Sequence, residues 1–186
     1  MVQALDQTTI AKWSLNDYHQ MIEAGILCDR QVELLDGNIV EMVPTEPLHD
    51  FLGDEVADYL RYLLGTRARV RECKGVTLPT SEPQPDIAIV ERISYREHHP
   101  RPENIYLLIE IAKSRPLRDT ETKRKLYAQA GIQEYWVINL KKGELRVFRD
   151  PTGADYGVDV VWNQQTIRAL AFPDVVIALD KLGVRW

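Results

Sequence analysis

Two acids stand at the ends of two apolar runs. Asp86 follows Pro85 and opens IAIV, and Glu110 closes YLLIE. A basic stretch carrying Lys123 comes next. If the two runs are neighbouring strands, their carboxylates meet at one end of a sheet. Two such groups repel unless a cation or a proton sits between them. A hard ion such as Mg²⁺ or Mn²⁺ prefers oxygen ligands, with waters completing its shell. Such an ion activates water and offsets charge growing on a phosphoryl oxygen. A neighbouring lysine adds positive charge where the transition state needs it. The set predicts metal-dependent phosphodiester hydrolysis. The plain alternative is that Asp86 caps a turn and Glu110 is a surface strand end.

Lys123 lies four residues after Asp119 and four before Tyr127, so the three share a helical face. Leu126 and Ala130 fall on an adjacent, buried face. This places Lys123 at the margin between sheet and solvent, where its simpler role is an ion pair with Asp119. Lys113 is the rival lysine. It sits three residues after Glu110 and so points the other way in a regular strand. Ser114-Arg115-Pro116 would let the strand end and bring it back. Glu33, in VELLDG, is a candidate third carboxylate or an exposed hairpin charge. His49 has an acidic neighbour, Asp50, and is a candidate at the start of a helix. His98 and His99 stand in a charged loop with no zinc-ligand spacing around them. GxSxG, GxGxxG and GKS or GKT are absent, which removes the commonest esterase and nucleotide-binding signatures. Tyr135 and Trp136 read as a strand that anchors the core.

The elements that must position these residues follow from periodicity. Ser14 with Asp17 three residues on is an acidic capping box, and it predicts a helix to about Glu23. QVELLDGNIVEMV reads as a hairpin turning at Asp36-Gly37 or Gly37-Asn38. Phe51, Leu52, Val56, Tyr59, Leu60 and Leu63 recur at helical spacing from His49 to Leu64, and Gly65 stops the run. RARVRECKGVTL is one or two strands. IAIV and IYLLIEI are rich in β-branched residues and predict buried, central strands. A second helix runs from Asp119 to Ala130, then EYWVINL and ELRVFR pair through Lys142-Gly143. GVDVVW, TIRAL and VVIAL are short strands. The order predicts an α/β (α+β) fold, one mixed sheet flanked by helices.

At 186 residues, 45% hydrophobic and 27% charged, the chain suits one domain, residues 1–186, with its own core. Its two cysteines, Cys28 and Cys73, form no disulfide framework or metal-ligand pattern. No leader-like N-terminus and no membrane-length apolar run is visible, so the cytoplasm is the expected location. The net charge of −5 argues against indiscriminate nucleic-acid binding. Two basic strips could still guide a phosphate backbone: Arg67, Arg69, Arg71 and Lys74, and Arg115, Arg118, Lys123, Arg124 and Lys125.

VELLDGNIVEM with His49 after it, QPDIAIV, YLLIEIAKS and RDTETKRKLYAQAGIQEYWVINLKKGELRVFRD resemble the Uma2 (DUF820) family over roughly residues 30–150. That family is similar to the PD-(D/E)XK nucleases. The resemblance implies a restriction-endonuclease-like sheet with Asp86 as the acid of the PD motif and Glu110 as the second metal acid. It also implies Lys123 as the superfamily lysine and Glu33 as the N-terminal acid. His49 matches the family's histidine. Where the family usually has serine or aspartate after IEIA, this chain has Lys113. The implied activity is Mg²⁺- or Mn²⁺-dependent cleavage of DNA, with a homodimer serving both strands. The alternative is an inactive nuclease-like scaffold that acts as an interaction module.

Overall fold

The computed structural model describes residues 10–112 and 118–184. Among them, the chain forms α1 (Leu15–Glu23), a hairpin of β1 (Val32–Leu35) and β2 (Asn38–Glu41), and α2 (Pro47–Leu64). Then come β3 (Arg69–Glu72), β4 (Ile87–Val90), β5 (Ile105–Ala112), α3 (Arg118–Gln129), β6 (Glu134–Asn139), β7 (Glu144–Pro151) and β8 (Tyr156–Trp162). A two-stranded ribbon of β9 (Thr166–Ile167) and β10 (Ile177–Ala178) ends the order. Six strands form one sheet in the order β3-β4-β5-β6-β7-β8. All neighbours are antiparallel except β5 and β6. A parallel pair needs a crossover, and α3 is that crossover. The sheet is therefore mixed; both apolar runs are buried interior strands as their composition predicts, β5 in the middle pair and β4 one place from the edge.

Strand alternation divides the core in two. Leu107, Ile109 and Ile111 of β5 pack with Val56, Ala57, Leu60 and Leu64 of α2. Leu108 faces the other way and packs with Leu126, Tyr127 and Ala128 of α3. The α2 stripe is narrower than its spacing suggests. Phe51 is 59% exposed, because the buried positions run through Val56, Ala57, Leu60 and Leu64. The first helix begins as its capping box dictates. Asp17 N donates to Ser14 Oγ at 3.1 Å and Ser14 N donates to Asp17 Oδ2 at 2.9 Å. The hairpin turns through Asp36 (φ 46°) and Gly37 (φ 69°), the two positive angles of a type I′ turn.

One buried acid ties the C-terminal segment to the sheet. Glu134 is fully buried and accepts from Trp136 Nε1 at 2.9 Å, from Arg149 Nε at 2.8 Å and from Leu170 N at 2.6 Å. Burial pushes its carboxyl upward, and the Leu170 amide and Arg149 pull it back. Glu134→Ala leaves Arg149 and two N–H groups without their acceptor. It should lower unfolding free energy in urea by about 3–5 kcal/mol, with Glu134→Gln costing less.

Candidate active site

Four chain segments meet at one end of the sheet. Alternation along β5 turns Glu110 toward α3. There Lys123 and Tyr127, one helical turn apart, point back at it. Lys123 Nζ lies 3.3 Å from Glu110 Oε1 and 3.2 Å from Glu33 Oε2. The Tyr127 hydroxyl donates to Glu110 Oε1 at 3.0 Å. The Gln84 backbone N donates to Glu33 Oε2 at 3.0 Å. Glu33, Glu110 and Lys123 are only 3%, 7% and 4% exposed. Burial, with the negative charge of Glu110 beside it, holds the Tyr127 phenol well above its usual range, so it stays a proton donor.

Asp86 sits one residue before β4. Ile87 pairs with Ile109, so one further step in the antiparallel register sets Asp86 opposite Glu110. Asp86 Oδ2 accepts from Ile111 N at 2.6 Å and lies 3.2 Å from His49 Nε2. The hydrogen bond to Asp86 is the main reason that the His49 imidazole is raised to about 9, against the opposing cost of burial. Asp86 O accepts from Cys73 N at 3.0 Å. The Cys73 thiol is pushed up by burial first, then by Asp86, Glu72, Glu110 and Asp50, which marks these carboxylates as one electrostatic neighbourhood.

The sequence-derived candidates divide accordingly. Glu33, Glu110 and Lys123 form a contacting cluster. Asp86 and His49 form a second pair beside it. Lys113 lies outside the described residues. Lys123 is not at the solvent margin, as helical spacing suggests. It is buried, because β1 closes over the end of α3 and brings Glu33 inward. The second basic strip is split, with Lys125 exposed while Lys123 and Arg124 are engaged. Lys123 points inward, and Arg124 bonds Asp155 Oδ2 at 2.8 Å. Tyr127 is a site residue that sequence reasoning placed on the right face without assigning it a part.

The donor chemistry suits a hard cation. Asp86 and Glu110 offer oxygen, and Asp86 Oδ1 accepts no hydrogen bond from the described residues. Glu33 is drawn to the lysine. Among the described residues no three His, Cys, Asp or Glu side chains are close enough together to hold an ion. Asp86 and Glu110, opposite each other in register, are the two carboxylates that such an ion would use, with water completing its shell.

A family model described as "Uma2: Putative restriction endonuclease" matches residues 15–180. The chain belongs to the Uma2 family. A solved structure titled as a "putative nuclease belonging to DUF820" from Anabaena variabilis ATCC 29413 has the same fold, with a TM-score of 0.68. It is 18% identical and the match covers 82% of this chain and 89% of that one. No curated protein matches. The Uma2 match extends beyond the hairpin-to-β7 motifs at both ends, taking in α1 and the β9–β10 ribbon. No described helix is long and apolar enough to cross a membrane.

Hydrogen bonds to a charged group contribute about 1.5–3 kcal/mol each. Tyr127→Phe removes one from buried Glu110 at nearly constant volume. Its unfolding free energy, read from denaturant titration, should fall by about that amount, with the fold unchanged by circular dichroism.

Proposed function

We propose that this Uma2 protein is a Mg²⁺- or Mn²⁺-dependent DNA endonuclease. The observation that carries the reading is Lys123, buried against Glu110 on the strand position opposite Asp86. A buried lysine between carboxylates is a weak source of stability, because desolvation offsets most of the attraction. It is a strong source of oriented positive charge. Asp86 and Glu110 would hold the ion, with Glu33 joining through water. Bound there, the ion supplies Lewis-acid neutralisation of the phosphoryl oxygen and eases deprotonation of the attacking water.

The chain's own groups do the rest. The Lys123 ammonium is fixed by two carboxylates and directs N–H bonds to the attacking water or to a non-bridging phosphate oxygen. Tyr127 and Gln84 N hold Glu110 and Glu33 in place. His49 and Ile111 N orient Asp86. Water attacks phosphorus in line, the P–O3′ bond breaks, and the 3′ oxygen leaves as a hydroxyl, giving a 5′-phosphate. Lys74 follows Cys73, whose N bonds Asp86 O, and would receive the backbone there. A two-fold dimer would present two such sites to the two strands.

Asp86→Asn, Glu110→Gln and Lys123→Met should each reduce Mn²⁺-dependent nicking of supercoiled plasmid by about a hundredfold or more. Lys113→Ala should leave nicking near wild type, since the Lys123 ammonium already contacts Glu110. Wild-type rates in Asp86→Asn, Glu110→Gln and Lys123→Met, or equal cleavage in EDTA, would sink the assignment.

The second reading, an inactive nuclease-like scaffold, is favoured by the same lysine. Its ammonium already lies between Glu33 and Glu110, and the chain is acidic overall. Calorimetric titration with Mn²⁺ separates the two readings. The nuclease binds the ion and loses it in the Asp86→Ala/Glu110→Ala double variant, whereas a scaffold takes up none, with or without DNA.

A further inference from the structure

Three of the protein's four histidines, His19, His98 and His99, line a cavity of ≈ 430 Å³ that the proposed nuclease chemistry does not use. That is within the usual size range of small-molecule sites. They do not form a metal set, since no described trio of ligating side chains is close enough. The polar centre of the cavity is Glu82. Its side chain is only 7% exposed, and its backbone N is fixed to Leu34 O at 2.7 Å.

The two oxygens of Glu82 differ. Oε2 accepts from the Thr77 hydroxyl at 2.9 Å and lies 2.9 Å from His19 Nε2. Oε1 accepts no hydrogen bond from the described residues. Its nearest ion-pair partner, His99 Nε2, is 3.8 Å away, beyond hydrogen-bond reach. Oε1 is therefore the oxygen of this largely buried carboxylate that stays open to the cavity, where a ligand N–H can reach it. Tyr95 and His98 stand edge to face at 6.1 Å and give the cavity an aromatic wall. Exposed Arg96 and Arg101 also line it, and exposed Glu23 and Glu97 offset their charge. Attraction of a polyanion by field alone is therefore weak here, and selectivity has to come from the group that meets Glu82.

The cavity adjoins the candidate active site through one extended segment. Glu82 N bonds β1 at Leu34, and two residues on, Gln84 N bonds Glu33. Two residues of extended chain span about 7 Å. One nucleic-acid strand could occupy both places.

We infer that this cavity is a nucleobase subsite. It takes one unpaired base from a single-stranded or locally opened strand, and Glu82 Oε1 accepts a hydrogen bond from the base's exocyclic amine. Carboxylates read the cytosine amine in this way, and aromatic side chains stack on any base. Thymine puts a carbonyl where cytosine has the amine, and two acceptors would then face each other. The inference rests on the nuclease reading for its occupant.

The test is fluorescence anisotropy with labelled single-stranded oligo-dC and oligo-dT at neutral pH in EDTA, so that no cleavage is required. Wild type should prefer oligo-dC by roughly tenfold, the size of one good base contact. Glu82→Gln can turn its amide N–H toward the thymine carbonyl, so the preference should fall to parity or reverse. Tyr95→Leu leaves Glu82 untouched and should weaken both oligomers alike while keeping the preference. Equal wild-type affinity for the two, an undiminished preference in Glu82→Gln, or no effect of Tyr95→Leu overturns the subsite. Plasmid nicking on the same preparations separates the two readings. Nicking without a base preference removes the subsite alone, and a preference without nicking upholds the subsite and removes the nuclease.

Discussion

The burial of one ammonium group organises this fold. Lys123 is 4% exposed and lies against Glu33 from the hairpin and Glu110 from the central strand. A lysine charge in such a place is tolerable only with partners, because desolvation without compensation would force it to lose its proton. The hairpin, the segment at Gln84, β5 and α3 must therefore all be seated before any one of them is satisfied. Tyr127 adds a neutral donor to the same carboxylate and also packs edge to face on Tyr135, with ring centroids 5.0 Å apart. Through that ring the polar cluster leans on the aromatic core of the α3 face, where Tyr135 stacks on Phe148. The charged groups are held by packing as well as by each other, the condition that a preorganised site requires.

Much of this was legible in the residues. β-branched density marks β4 and β5 as buried interior strands, the Ser14/Asp17 pair marks the start of α1, and Asp36-Gly37 marks the hairpin turn. Local rules decide these features, so local sequence records them. Three features were not legible. Glu33 lies beside Leu34 in a strand that alternation would leave half in solvent, yet all four residues of β1 are buried. One face is covered by α1 and the other by the sheet end, and no pattern within VELL announces a second cover. Lys123 was assigned to a margin for the same reason, since the element that encloses it is nearly a hundred residues distant in the chain. His49 was singled out for its neighbour Asp50, but its stronger partner is Asp86, which only the packing of α2 against the sheet brings near.

The two faces of the sheet have separate duties. The α2 face is apolar through its middle, carries the larger cluster of buried side chains, and meets the buried Glu134–Arg149 pair at one end. The α3 face is apolar and aromatic in its middle, but at the end of β5 it gives way to the charged cluster. Asp86 stands where the faces meet and is held from both. Ile111 N reaches it along the sheet, and His49 reaches it from α2. A displacement of α2 would thus move Asp86 relative to Glu110, so the spacing of the two acids reports on how α2 is packed against the sheet.

Charge arithmetic at this junction leaves the site one positive charge short. Glu33, Glu110 and Asp86 are three carboxylates, and Lys123 with a protonated His49 supplies two cations. The Cys73 thiol is pushed up first by burial and then by Asp86, Glu72, Glu110 and Asp50, the second part being what such a deficit does to a nearby neutral acid. Glu72 itself is engaged by Arg61, so its share is partly answered. What remains is an excess of negative charge at the mouth of β4 and β5, framed on one side by Lys74, while Arg69 and Arg71 turn onto Tyr95. A nucleic-acid backbone would be repelled by that centre and attracted by the frame. A divalent cation at the centre reverses the first term and leaves the second, so binding of the strand and occupancy of the ion would each strengthen the other.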